Sequence, residues 1–515
     1  MGRRPNRRVY PPHRIGAAPE VTALWLSFAS LFFASCSVPT RILEPHAADP
    51  SRSLARAGEL PEGSKLRAKL IARSLRSLSA APPPAESQIS IEWRGRESIA
   101  PLGFDRVFPA STVRRRGWRR VWNEQDGAGS PLVLLRERGD DNFVSKIGEA
   151  LPITAVLEPT ESGARLLLDD ALAPGASSRL QNGRPIARDF TAPLAYILRR
   201  DELIPEVRAL FMAGLFLDQL KIYRIAPFDP EKIPVVLVHG LTDNARVWAN
   251  LINELSADEE VREHYQFWIF SYPTGTPILY SAMRLREQLQ AMRAHYDPDG
   301  ANPNLGRMVV VGHSLGGVLA RLMVTDSGSG GGRFNWTPKP IEKLNLPPDL
   351  ESLARDVLEF EPQPYVGRAI FIATPHRGSE VAGQRIVRSI SQTIRLPREL
   401  KAAVLTAFNL NPELSLIPHT TLSELNSVED LRPDSLFMRA LEDHPIAAGY
   451  PYHSIIAIGR DGRSKPLEET DDNLVRYPSA RLPGAQSELT VAAPHKIFDH
   501  PETVAEVARI LKLHR

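Results

Sequence analysis

Short runs of apolar residues alternate with helical stripes through the second half of the chain. PVVLVHG (234–240) precedes a helical stretch near Ala245–Leu255. FWIFSYPTG (267–275) precedes another near Ile278–Tyr296, and MVVVGHS (308–314) leads into a helix from Leu315. RAIFIATPH (368–376), SIIAIG (454–459), ELTVAA (488–493) and a closing helix complete the series. Runs that are apolar throughout suit strands buried on both faces, and strand–helix alternation predicts a parallel sheet. In the closing helix Val504, Val507, Ala508 and Leu511 share one face, and Pro501 suits a helix opening. From about Phe228 onward the pattern predicts an α/β domain.

The first half is patterned differently. QISIEW, PLVLLRE, ITAVLEP and ARLLLDD read as strands separated by Gly, Pro and Asp clusters, so residues 86–227 are expected to form a β-rich accessory domain. Ahead of it, residues 37–64 read as a tether. Lys65–Ser79 reads as a helix with a basic face that ends at Pro82-Pro83-Pro84. That helix is better explained as one solvated beside its domain than as one lying on a membrane. The basic, tryptophan-bearing run Val113–Trp122 is likewise better read as a strand face than as a polyanion patch. Two segments interrupt the α/β alternation, at about 327–364 and 381–449. Both carry helical, fairly apolar patterns, including Leu350, Leu353, Ala354, Val357 and Leu358. Inserts at these positions are expected to cap the site.

Composition excludes several classes. At 515 residues, with 43% hydrophobic and 24% charged positions, the chain is neither wholly disordered nor a polytopic membrane protein. The formal charge of +3 misleads, because Arg3, Arg4, Arg7, Arg8 and Arg14 all precede residue 36 and only Glu20 offsets them there. The remainder is near neutral and offers no electrostatic case for nucleic acid. The single cysteine, Cys36, excludes an intrachain disulfide or a cysteine-based metal site. No metal-ligand cluster and no dinucleotide-type glycine loop is legible, so no cofactor is expected.

That cysteine closes a basic segment and the apolar run Val21–Ala34, the layout of a secretory signal over residues 1–35. Fourteen apolar residues span only ~21 Å as a helix, short of the ~30 Å hydrocarbon core. Phe33-Ala34-Ser35-Cys36 resembles a bacterial lipobox, which implies acylation at Cys36 and export to the cell envelope with a lipid anchor.

Gly312-His313-Ser314-Leu315-Gly316 is the only G-x-S-x-G. Its setting, four apolar residues before and a helical pattern after, is that of a nucleophile elbow with Ser314 at the apex. A nucleophilic serine needs a base, and the base needs an acid, in the chain order Ser, Asp/Glu, His. The loop between the last strand and the last helix offers His495 and His500. His495 directly follows ELTVAA, whereas His500 abuts Pro501 at the helix start. For the acid, the loop after SIIAIG offers Asp461, Glu468, Glu469, Asp471 and Asp472, and composition does not choose among them. The N–H groups of Leu241, after His239-Gly240, and of Leu315 are the candidate oxyanion donors.

VVLVHGL, VVVGHSLGG, FIATPHRGSEVAG, ETDDNLVRYPSARLPGAQSEL and PHKIFDHPETVAEVARIL together resemble the serine α/β-hydrolase superfamily, over about Ile233–Leu511. They are most similar to bacterial exported lipoprotein hydrolases and, more loosely, to lipase and deacylase branches with a T-P-H motif. The resemblance implies an α/β-hydrolase fold, with Ser314 as nucleophile and His495 as base. It also implies Asp472 as acid, since D-N-L-V-R-Y stands where relatives read D-G-V-V-P-Y, with Asp471 the neighbouring alternative. His376 precedes every candidate acid, so it is expected to brace its loop, and Gly378-Ser379 to shape the rim. The expected function is a membrane-tethered esterase acting on lipid or small acyl esters. The alternatives are an acyltransferase using the same triad, or a non-catalytic envelope binding protein. Oligomeric state is not legible.

Overall fold

The computed structural model describes residues 50–80, 89–96, 104–114, 122–160, 163–173, 178–200, 206–328, 340–383, 394–416 and 424–515. Residues 1–35, the lipobox with Cys36, and most of the Val113–Trp122 run lie outside them. All the described residues belong to one compact unit.

The apolar runs of the second half become a seven-stranded sheet in the order β14-β13-β12-β11-β9-β10-β8. Its strands are β8 (Lys221–Arg224), β9 (Ile233–Val238), β10 (Tyr265–Ser271), β11 (Met308–His313), β12 (Val366–Ile372), β13 (Tyr452–Ala457) and β14 (Ser487–Val491). All pairings are parallel except β8 with β10. Every residue of β9, β10 and β11 is buried, as strands covered on both faces require. One face is packed by the Ile278–Tyr296 and Leu315–Leu322 helices. Helices Ala249–Ala257 and Pro501–Leu513 cover the other. The edge strand β8 was not legible in the sequence, because four residues, KIYR, are too few for a period to emerge.

The first half forms a five-stranded sheet in the order β1-β6-β5-β4-β2, with β1 (Ile89–Arg94), β2 (Arg106–Pro109), β4 (Ser130–Arg136), β5 (Glu149–Thr160) and β6 (Gly163–Asp170). Two-residue strands β3 (Glu124–Gln125) and β7 (Arg188–Asp189) pair separately. The basic helix, Lys65–Ala80, lies on this sheet with Ile71, Ala72 and Leu75 buried in its core. Part of the segment read as a tether, Pro50–Gly58, is also a helix there, burying Leu54 and Ala57. Two apolar positions one turn apart are enough to dock nine residues but too few to stand out in the sequence.

Within the two inserts, Pro348–Leu358 and Arg398–Leu410 are helices, and neither fully buries a residue. Their apolar faces line a cavity of about 310 Å³, with Leu350, Leu353 and Val357 from one and Leu400, Val404 and Phe408 from the other. The Leu436–Asp443 helix that follows is tied to the core by buried Arg321, which donates to the carbonyls of Leu441 (2.6 Å) and His444 (3.0 Å).

Candidate active site

Three loops at the carboxyl ends of β9, β11 and β14, with a fourth after β13, converge on one point. Strand β11 turns into the Leu315–Leu322 helix through Ser314, whose φ of 53° and ψ of −123° lie where only strained non-glycine residues are found. The turn is possible because its flanks are bare. A β-carbon on Gly312 would lie 2.2 Å from the Gly316 carbonyl oxygen, and one on Gly316 would lie 2.1 Å from that of Val238. The Ser314 N–H is held by the Ile372 carbonyl at 2.9 Å, so β12 steadies the strained residue.

His495 reaches the serine from the loop after β14. Its Nε2 stands 2.8 Å from Ser314 Oγ and its Nδ1 2.7 Å from Asp472 Oδ2. With Nδ1–H donating to the carboxylate, Nε2 presents its lone pair to the serine hydroxyl. The other carboxylate oxygen, Oδ1, accepts the N–H groups of Leu474 (2.9 Å) and Val475 (2.7 Å). Both oxygens of the buried Asp472 carboxyl thus have hydrogen-bond partners, the condition under which a buried polar group is tolerated. The loop turns at Asn473, φ 77°, and asparagine adopts this left-handed conformation more readily than most residues.

The alternatives point elsewhere. Asp471 is exposed and accepts the N–H of Asn473 at 2.8 Å. His500 caps the last helix, accepting the Glu502 N–H at 3.4 Å. His376 is fully buried, edge-on to Phe371 with ring centroids 4.8 Å apart, and neither ring nitrogen has a partner among the described residues. Burial, reinforced by Arg321 and Arg377, pushes its pKa well below that of a free histidine. It packs behind the loop as a neutral ring. Ser379 donates to the Leu474 carbonyl and so bridges the T-P-H-R-G-S loop to the loop that carries Asp472.

The expected oxyanion donors, Leu241 and Leu315, belong to the loop after β9 and to the start of the Leu315–Leu322 helix. A β-carbon on Gly240 would stand 3.0 Å from Ser314 Cβ, so the loop runs directly against Ser314. Neither Leu241 nor Leu315 uses its N–H in a hydrogen bond among the described residues. His239 braces the loop from beneath. It stacks on Tyr272 at 4.6 Å, and the Tyr272 hydroxyl donates to the His239 carbonyl at 2.8 Å. Burial lowers the His239 pKa to about 4, so its ring is neutral.

Leu241 also packs against Leu210, Ile394 and Val428. Val428 belongs to the short helix Ser427–Asp430, and Glu429 and Asp430 from that helix line the apolar cavity between the insert helices. The cavity therefore adjoins the oxyanion loop through one turn of helix, and none of Ser314, His495 and Asp472 lines it. Three further residues against the site were not legible: His313, Asp243 and Lys496. The first and last are chain neighbours of the serine and the histidine. Their contacts with Asp243 span up to 253 residues, beyond any local pattern. Among the described residues, no group of three or more His, Cys, Asp or Glu could hold a metal ion.

The sequence model of the Alpha/beta hydrolase family matches residues 235–507. No curated protein sequence matches the chain. Among solved structures, it is similar to the Bacillus licheniformis lipase BlEst2 in its mature form, at 18% identity over 56% of this chain and 97% of that one, with a TM-score of 0.33. Against the propeptide form the figures are 18%, 55% and 51%, with a TM-score of 0.32, so the match spans about half of that longer chain. Lipase 1 from Pelosinus fermentans is similar at 14% identity over 55% of this chain and 98% of that one, with a TM-score of 0.34.

Proposed function

The chain belongs to the alpha/beta hydrolase family, and from that premise we propose that it hydrolyses carboxylic esters through an acyl-serine intermediate on Ser314. One observation carries the reading: a single imidazole, His495, is hydrogen-bonded to Ser314 Oγ on one side and to the Asp472 carboxylate on the other. His495 Nε2 takes the hydroxyl proton as Ser314 Oγ bonds to the ester carbonyl carbon. The carbonyl oxygen becomes an oxyanion, met by the N–H groups of Leu241 and Leu315. Collapse of this intermediate breaks the carbon–oxygen bond to the alcohol, which leaves with the proton from His495. Water, deprotonated by the same imidazole, then attacks the acyl-enzyme and releases the acid. Asp472 keeps the proton on Nδ1 and stabilises the imidazolium formed in each step.

The apolar cavity beside the oxyanion loop supports an aliphatic acyl chain as the preferred substrate part. Its size falls at the lower end of the ~300–1,000 Å³ of ligand pockets. The lipobox-like Phe33–Cys36 supports tethering to an envelope membrane by lipid on Cys36. No helix among the described residues is long and apolar enough to cross a membrane. Replacing Cys36 with Ser should move the protein from the membrane to the soluble fraction.

A fluorophosphonate probe tests the central reading. It should label the wild type and leave Ser314→Ala unlabelled, with hydrolysis of p-nitrophenyl esters lost in parallel. Folded wild type that neither labels nor hydrolyses any ester of the series would refute the proposal and favour a binding role.

A further inference from the structure

The loop after β9 carries a buried carboxylate for which the ester mechanism has no use. Asp243 is 5% exposed and stands two residues beyond Leu241. Its N–H donates to the Gly240 carbonyl at 3.2 Å. Its Oδ1 accepts from Lys496 Nζ at 2.6 Å, and its Oδ2 lies 3.7 Å from His313 Nδ1. Lys496 is the chain neighbour of the base and His313 that of the nucleophile. One side chain on the oxyanion loop thus faces residues adjoining both other parts of the machinery.

The loop needs such a tie. Thr242, between Leu241 and Asp243, has φ 58°, a conformation that a β-branched residue holds only where its surroundings over-determine it. The fixings on either side are known. Tyr272 holds the His239 carbonyl before the turn, and the Asn244 side chain caps the Arg246 N–H after it. Across the turn itself, Asp243 makes a side-chain tie to Lys496. The base loop is in turn tied to the elbow, because His313 Nε2–H donates to the His495 carbonyl at 3.2 Å. Burial keeps the His313 ring neutral, so it takes the Nε2–H tautomer that this bond requires.

The geometry points to Asp243 as a positioning residue that, through Lys496, holds the Leu241 N–H at the place where the oxyanion forms. This rests on the ester reading of Ser314 above. A donor aimed at charge that develops only in the transition state affects kcat and leaves substrate binding alone. Asp243→Asn keeps the side chain's shape and removes the charge that holds Lys496. Lys496 is about half exposed, so Lys496→Met cuts the same tie from the surface, with little risk to folding.

The test measures kcat and KM for p-nitrophenyl butyrate per serine titrated by a fluorophosphonate, in wild type, both single variants and the double variant. Asp243→Asn should lower kcat tenfold to a hundredfold with KM within about twofold and full titration. Lys496→Met should fall in the same direction, and the double variant should be no slower than Asp243→Asn, because one link is cut twice. A merely structural role would reduce the titratable fraction and the melting temperature and leave kcat per titrated site unchanged; that result overturns the proposal. So does an unaffected Lys496→Met, even if Asp243→Asn fails to fold. Wild type that neither titrates nor turns over removes the ester reading and this role with it. Wild type that does both beside an undiminished Asp243→Asn removes this role alone.

Discussion

Gly317 stands so close beneath Thr374 that a β-carbon on the glycine would lie 1.8 Å from the threonine Oγ1. The helix that begins after Ser314 is thereby seated against the loop that opens T-P-H-R-G-S, and the last glycine of G-x-S-x-G-G is accounted for by space.

Gly317→Ala should therefore destabilise, although alanine in a helix interior is normally favoured by roughly 0.5–1 kcal/mol. Thr374 is buried and β-branched and cannot swing away. The overpacking should cost about 1–3 kcal/mol. Gly58→Ala, at a helical position where nothing lies within 4 Å, serves as the control and should be neutral or slightly stabilising. Thermal unfolding of the two variants beside wild type decides the sign.

The triad predicts unequal losses. Ser314→Ala and His495→Ala should abolish acyl-enzyme formation. Asp472→Asn should lower kcat by about 10³–10⁴-fold, because an amide presents the wrong partner to Nδ1–H. Asp471→Asn and His500→Ala should stay within about threefold of wild type, since Asp471 faces solvent and His500 caps a helix. Steady-state rates on one soluble ester check all five.

Filling the cavity should change chain-length preference. Leu353→Trp or Ala403→Trp places an indole in the space between the two insert helices. Turnover of p-nitrophenyl acetate should be retained while kcat/KM for the decanoate falls at least tenfold. An equal loss on both esters would detach the cavity from substrate binding.

Asp430 should make stability depend on pH. Burial raises its pKa to about 7, with the Ile278 N–H opposing and the neighbouring Glu429 charge adding to the rise, while the unfolded value is near 3.8. Between those values the folded chain holds a proton that the unfolded chain has released. The stabilisation is complete below about pH 4 and is lost as pH rises through 7. From pH 6.5 to 8 the loss from this group is about 1 kcal/mol. His239 and His313, both lowered to about 4, act with the opposite sign below pH 6.5. The difference between wild type and Asp430→Asn, followed by chemical denaturation across pH 5–8, isolates the carboxyl.

Much of this architecture is local and was therefore readable. The runs VVLV, FWIF and VVVG are buried on both faces as strands β9, β10 and β11, because unbroken apolar segments a few residues long cannot lie at a sheet surface. Ser314 announced itself through Gly312 and Gly316, whose missing side chains are a steric requirement of the turn. Chain order and topology left His495 and His500, and the position of His495 directly after ELTVAA favoured it. The choice of Asp472 over Asp471 was different. Adjacent aspartates are identical in composition, and the turn at Asn473 decides which one points inward to the imidazole and which outward to water. Strand β8 and the helix Pro50–Gly58 were hidden because pairing and docking, not period, define such short elements. The cavity, and the carboxylate of Asp243 between Lys496 and His313, arise where segments up to some 250 residues apart meet. Sequence determined which residue types stand at each strand end. Only tertiary packing determined which side chains face one another across the gaps, because those contacts belong to no single stretch of chain.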